Sequence, residues 1–205
     1  FEFLTRLSLH CNSGHRARTV LKDEEEQLIL KNLHLLTAKP ILYISNVNEQ
    51  EIVSEARSLL VQQLFDFAEK EGNNSIRICG QIEQEISSLP EEEKQEFLKE
   101  YGLREPGLHK VVHASFALLG LQTYFTGGPK EVRAWTIKKG LTAPEAAGVI
   151  HTDFQRGFIK AEVYKYRDLD RLGSEKAVRE KGLASIEGKE YIVKEGDCIY
   201  FRFNV

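Results

Sequence analysis

Apolar and polar positions follow two rhythms along this chain, one up to Gly120 and another beyond it. From Asp23 to Leu36, an acidic first turn leads into Leu28, Ile29, Leu33 and Leu36 near the helical period, which predicts an amphipathic helix capped by Asp23. Pro40 then introduces Ile41 to Ile44, an apolar run of strand length, as in a parallel-sheet strand buried on both faces. Glu51 to Glu71 reads as a second helix with Leu59, Leu60, Phe67 and Ala68 turned inward. Gly72-Asn73-Asn74 ends it before a short strand, Ser75 to Cys79, so the stretch is a βαβ unit. Glu83 to Tyr101 is charged and helical, interrupted near Pro90, and the apolar helix Leu108 to Leu119 is expected to cover the sheet.

After Leu121 the segments shorten. Gln122 to Phe125, Val132 to Ile137, Phe158 to Tyr166, Glu190 to Val193 and Cys198 to Phe203 have strand character, separated by Gly127-Gly128-Pro129, Lys139-Gly140, Gly188 and Glu195-Gly196-Asp197 as turns. One helix, Ala143 to His151, interrupts them behind a Thr142 cap, with Pro144 in its first turn. A mixed sheet gripping one helix is the expected product. The whole is an α/β chain whose pattern changes at residue 121.

Composition changes this picture little. With 41% hydrophobic and 29% charged residues the chain has the balance of an ordinary globular protein, and no run approaches the roughly 20 apolar residues of a membrane span. Phe1 to Leu9 lacks the marks of a signal peptide, so a cytoplasmic protein is expected, without membrane or DNA partners and as a monomer. The three cysteines Cys11, Cys79 and Cys198 are widely spaced and suggest free thiols rather than a disulfide framework or a metal site. Cys79 is the one with a redox alternative, since it precedes a helix start that would lower a thiol pKa. The chain begins at Phe1 and contains no methionine, from which further residues upstream are expected. Charge divides as the rhythm does: residues 121–205 hold 15 basic and 12 acidic side chains, the preceding residues 13 and 19.

The candidate chemistry starts at Asn46-Val47-Asn48-Glu49, which leaves the carboxyl end of a buried strand and enters a helix, the place where doubly wound sheets bind ligands. P-loop GTPases carry Asn-Lys-x-Asp there: the carboxylate accepts guanine's N1–H and exocyclic amine, and the lysine stem covers the base. Here Val47 replaces the lysine and Glu49 lengthens the acid by one methylene, so guanine specificity should be lost. Adenine, with an acceptor at N1 and a donor at N6, is the better physical match. The local alternative is a capping box, Asn46 as N-cap with Glu49 three residues on, which needs no ligand.

In its surroundings, Leu36-Thr37-Ala38-Lys39-Pro40-Ile41-Leu42-Tyr43-Ile44-Ser45-Asn46-Val47-Asn48-Glu49 resembles the base-recognition segment of the YchF/Obg-like ATPase family. The resemblance continues through Gly120 to Thr126, Lys130 to Thr136, Ala143 to Phe154 and Phe201 to Val205. It implies a cytosolic, ribosome-associated ATPase preferring ATP to GTP and using Mg²⁺. Its expected parts are the end of a helical-hairpin insertion at 1–22, the second half of a P-loop nucleotide-binding domain at 23–120, and a ubiquitin-like β-grasp TGS domain at 121–205. Asn46, Val47 and Glu49 would meet the base, with the backbone of Cys79-Gly80 in a second loop where Ser-Ala is the family's more familiar pair. No Gly-x-x-x-x-Gly-Lys-Ser/Thr occurs, so no phosphate nest and no Mg²⁺ hydroxyl are present, and no catalytic residue is assigned.

Other residues carry weaker signals. Lys130, Arg133, Lys138, Lys139, Arg156 and Lys160 could form a basic face for ribosomal RNA or stand as ordinary solvated charge. Trp135, Tyr124 and Phe125 could stack on bases or fill a core. His151-Thr152-Asp153 reads as a helix end rather than a catalytic pair. The alternative function is an RNA- or protein-binding module without enzymatic activity.

Overall fold

The computed structural model describes residues 1–128 and 131–204; Pro129, Lys130 and Val205 lie outside the described residues. The chain divides into two compact units, Phe1–Leu118 and Leu119–Val205.

In the first unit α1 (Glu2–Asn12) and α2 (Glu24–Asn32) precede the sheet. Asp23 caps α2 by accepting the Glu26 amide at 2.9 Å. Leu30 is the residue α2 buries, in a cluster with Phe3, Leu7, Ala17 and Val20. The expected stripe of Leu28, Ile29, Leu33 and Leu36 is exposed instead. Strands β1 (Leu42–Asn46) and β2 (Asn74–Ile78) pair in parallel, Leu42 opposite Asn74 and Asn46 opposite Ile78.

Two helices join them rather than one. α3 (Glu49–Val53) ends at Ser54, and α4 (Leu59–Lys70) starts after Ser58. The break is stabilised from outside: the Arg77 guanidinium on β2 donates to the carbonyls of Glu51 at 3.0 Å and Ser54 at 3.2 Å, which takes up carbonyls left open at the end of α3. In α4 the buried positions are Val61 and Ala68, whereas Leu59 and Leu60 are 74% and 77% exposed. Ile44 in β1 is 42% exposed, so burial on both faces is not met in this two-stranded sheet. α5 (Gly80–Ser88), α6 (Glu91–Glu100) and α7 (Gly107–Leu118) follow, and α4 and α7 both lie against β1 and β2.

The second unit is a five-stranded mixed sheet. β3 (Leu121–Gly127) and β4 (Val132–Lys138) form an antiparallel hairpin. β5 (Phe158–Lys165), β6 (Ser185–Glu187) and β7 (Asp197–Phe203) complete the order β4-β3-β7-β5-β6, with β3 and β7 parallel and β5 antiparallel to both its neighbours. Taken in order of occurrence within the unit, the strands lie 2-1-5-3-4, the β-grasp arrangement. α8 (Ala143–Ile150) is the gripped helix, started by a capping box between Thr142 and Glu145. Its Ala143, Ala146 and Ala147 are fully buried, and these small side chains let it settle against Tyr124, Ile137, Val163 and Ile199. Tyr124 donates its hydroxyl to the Ala146 carbonyl at 2.9 Å, so the core's buried phenol is satisfied.

Three short helices were not expected from sequence: α9 (Thr152–Arg156), α10 (Tyr166–Leu172) and α11 (Glu175–Glu180). Gly173, with φ of 74°, closes α10, and Ser174 then caps α11 by accepting the Ala177 amide. Val178 of α11 is buried with Tyr164 and Cys198 against the sheet face opposite α8. The expected strand Glu190 to Val193 is no strand: it contributes one isolated bridge, Ile192 to Thr142, and β6 takes its place in the sheet. Asp197, wholly buried, accepts from the Tyr191 hydroxyl and the Lys194 amide, each at 2.8 Å, and pairs with Lys165. Among the described residues no helix is long and apolar enough to cross a membrane.

Candidate functional site

Parallel pairing brings the carboxyl ends of β1 and β2 side by side, and the chain beyond β1 stays attached: the Val47 amide donates to the Ile78 carbonyl at 2.9 Å. Immediately after β2, α5 begins at Gly80, whose amide would be one of the helix's open donors. Asn46 supplies the acceptor, its Oδ1 lying 3.0 Å from the Gly80 nitrogen. A Cβ on Gly80 would sit 3.4 Å from that oxygen, an ordinary contact.

The capping-box alternative does not hold. α3 is capped by Asn48, which accepts the Glu51 amide at 2.8 Å, so Asn46 is left to bridge the two loops. With Oδ1 turned to Gly80, the group Asn46 offers outward is its Nδ2 donor. Val47 is buried beside it, and Glu49 begins α3. Tyr101 stands near enough to register Glu49: its hydroxyl pKa is raised by burial first and then by the charges of Glu49 and Glu85.

Cys79 is 3% exposed and turns into a cluster with Ile82, Ile86 and Leu98, so only its backbone faces the loop. One residue missed in the sequence proves central to the geometry. Glu83, a turn along α5 from Gly80, accepts the amides of Gly107 at 2.6 Å and Leu108 at 2.9 Å, and so closes the start of α7. The arrangement can therefore offer a ligand one amide donor, from Asn46. Among the described residues no cluster of three His, Cys, Asp or Glu is placed to hold a metal ion.

The basic residues singled out in the second unit are spread out. Arg133 shares with Trp135 and buried Ile137 the sheet face toward α8, its guanidinium 4.1 Å from the Trp135 ring centroid and 4.0 Å from Glu131. Lys138 is tied to the Leu119 carbonyl at 2.7 Å, Lys139 stands in the turn after β4, and Arg156 ends α9. Lys160 is on the opposite sheet face, where its cross-strand neighbour is Arg202, a cation the sequence reading passed over. Lys130 lies outside the described residues. Of the three aromatics, Tyr124 is core and Phe125 packs with Tyr166, leaving Trp135 half-buried with its Nε1 donating to Thr126 at 2.8 Å. The His151 ring accepts the Asp153 amide at 3.2 Å and caps α9, a structural use.

Comparison with known proteins finds relatives along the whole chain. Residues 121–204 match the YchF-GTPase_C family model, described as a protein of unknown function (DUF933). The chain is 50% identical over all its 205 residues to the ribosome-binding ATPase YchF of Bacillus subtilis, covering 56% of that protein. It is 42% identical over 184 residues to Obg-like ATPase 1 of Pongo abelii, with 89% of this chain and 46% of that protein aligned. The Schizosaccharomyces pombe YchF GTPase structure superposes with a TM-score of 0.82 at 31% identity, over 98% of this chain and 53% of that one. A GTP-binding protein from Pyrococcus horikoshii, 16% identical with a TM-score of 0.57, shares the fold over 95% of this chain and 55% of its own. The chain thus spans about half the length of the curated relatives it matches. Over its whole length the chain is similar in sequence and in fold to members of the YchF/Obg-like ATPase family.

Proposed function

We propose that the chain is the base-reading and carboxyl-terminal part of a cytoplasmic, ribosome-associated P-loop ATPase that takes ATP in preference to GTP. Residues 23–120 would be the second half of the nucleotide-binding domain, 1–22 the end of an inserted hairpin, and 121–205 a TGS domain. The observation that carries the reading is the Asn46–Gly80 bond, which aims one amide donor outward from a shelf built on two parallel strand ends. Purine N7 accepts such a donor whether the base is adenine or guanine. Discrimination then falls to the next two positions, where Val47 gives apolar cover without an ammonium and Glu49 withholds the two-point acceptor that guanine needs.

Names among the relatives support the rest: the bacterial relatives are called ribosome-binding ATPases, and the fission-yeast structure a GTPase. Phosphoryl transfer depends on charge stabilisation at the phosphates, and the sequence carries no Gly-x-x-x-x-Gly-Lys-Ser/Thr, so the proposal gives this chain the base and not the phosphates. Its share of the work is to hold and select the base. The test is an NMR titration of the chain with ATP and with GTP, following the Gly80 amide. ATP should shift that resonance at lower concentration than GTP; equal responses would overturn the preference.

A second reading, an RNA- or protein-binding module, is favoured by the Arg133–Trp135 pair. Its measurement is co-sedimentation of the chain with ribosomes across a salt series, since contacts to phosphates weaken steeply as salt rises.

A further inference from the structure

The β-grasp unit has an open end. β3 stops at Gly127 while β7 runs on to Phe203, and the hydrogen-bonded bridge between them is at Phe125 and Cys198. Beyond it, on the α8 side of the sheet, a cleft of about 470 Å³ opens between the β4 strand and the helices α8 and α9. Two flat pairs bound it. On one side the Arg133 guanidinium lies over the Trp135 ring at 4.1 Å. On the other, Phe154 of α9 stacks on Phe203 of β7, centroids 3.8 Å apart and planes 28° from parallel. Thr126 adds a polar group inside: its oxygen accepts the Trp135 indole N–H at 2.8 Å, which leaves its own hydroxyl hydrogen to donate.

We propose that this cleft is a binding site for an unpaired nucleotide, its planar base held between the two stacked pairs and its phosphate met by Arg133. The volume lies within the range of small-ligand sites, which are concave and mostly apolar with few polar groups. Flat walls on two sides suit a ring rather than a branched aliphatic group, and bases stack on aromatic and guanidinium planes without sequence preference. Arg133 provides both stacking surface and positive charge at the rim. Glu131 is its nearby counter-charge at 4.0 Å, a pair exposed enough for a phosphate to displace. The proposal deepens the reading of the second unit as a ribosome-contacting domain and rests on it for the source of the nucleotide, a single-stranded RNA segment or a free mononucleotide.

Trp135 is the only tryptophan, so it reports directly. The intact chain is titrated at low salt with three probes: a short unstructured oligoribonucleotide, the same length of abasic oligomer, and AMP. Stacking at the cleft should quench Trp135 fluorescence with the oligoribonucleotide, the abasic oligomer should bind about tenfold or more weaker, and Arg133→Gln should weaken the oligoribonucleotide by a similar factor. Quenching by AMP at comparable concentration would make a free nucleotide the ligand, and its absence an RNA segment. The Gly80 amide resonance is followed in the same titrations, and quenching of Trp135 at concentrations that leave it unmoved separates this site from the shelf in the first unit. No quenching by the oligoribonucleotide or AMP, or equal affinity for the abasic oligomer, overturns the proposal. Ribosome co-sedimentation of Arg133→Gln is run beside it: association that persists with a silent Trp135 leaves the ribosome reading standing and removes the cleft.

Discussion

Asn46 Oδ1 and the Gly80 amide, 34 residues apart in sequence, are joined at 3.0 Å, and this bond decides which end of the asparagine amide faces outward. The two functions of that side chain are separable. Asn46→Ala should lose both the loop bridge, at about 1 kcal/mol of stability, and the outward donor. Asn46→Asp keeps an acceptor for Gly80, and a carboxylate at the start of α5 is favoured by the helix dipole. It should therefore fold as stably as the parent in urea titrations yet lose the Gly80 response to ATP and GTP alike, because both purines would miss the same N7 contact. Retained nucleotide binding in Asn46→Asp would show that Nδ2 plays no part.

Gly157 tests the second unit. A Cβ there would meet the Asn204 carbonyl oxygen at 2.1 Å and carbon at 2.8 Å, both backbone atoms held by the Asn204 amide donating to the Gly157 carbonyl. Gly157→Ala should cost about 2 kcal/mol or more, read as a lower urea midpoint of Trp135 fluorescence. Gly148→Ala is the contrast, since its added carbon meets the end of the exposed Gln155 side chain at 2.5 Å, which can turn aside, and Gln155 Cβ at 3.2 Å, which has to give by only a few tenths of an ångström.

Acid stability should depend on Glu71. Partial burial pushes its pKa up, but the hydrogen bonds from Tyr43 and Arg16 and the charges of Arg16 and Arg18 outweigh this, and it ends below the ordinary 4.5. A carboxylate whose pKa is lower in the folded than in the unfolded chain adds stability above about 4.5, and that contribution fades as pH falls through the lowered value. Glu71→Gln should thus be less stable than the parent at pH 6 and approach it near pH 3. A constant difference across that range would assign the effect to packing alone.

Thiol chemistry should follow burial. Cys11 is partly exposed, whereas Cys79 and Cys198 are buried. Burial first, and then the nearby charges of Asp197 and Glu175, push the Cys198 thiol up to about 11. In native conditions at pH 8 one thiol should react with a disulfide reagent, and three after unfolding. Because the folded pKa exceeds the ordinary 9.0, the thiol's stabilising share is complete below 9 and is lost as pH rises toward 11. Cys198→Ala should flatten that alkaline decline.

What the sequence showed, and what it hid, has a physical division. Short-range signals were legible: Asp23 and Thr142 cap the helices they precede, and the strand ending at Asn46 announced itself by an apolar run. The division of Glu51–Glu71 into α3 and α4 was not, because Ser54 to Ser58 contains no proline or glycine and the break is stabilised by Arg77 from another strand. Leu59 and Leu60 looked like core by helical period, yet period alone does not say which face meets the sheet. α10 and α11 were passed over for brevity and charge, although Gly173-Ser174 is a legible stop and start between them. Of the candidate site, position in the sequence places Asn46 and Gly80 in neighbouring loops, which the structure brings together, whereas the roles of Asn48 and Glu83 follow from loop geometry that residue types do not encode.

Glu83 gives α5 a mechanical character. Within one turn that helix carries the amide grasped by Asn46 and the carboxylate that secures the first turn of α7. A ligand that tugs the shelf loops apart would have to rock a nine-residue rod whose first turn is also tied to the start of α7. The carboxyl end of β1 and the start of α7 are thereby tied to the same turn of α5.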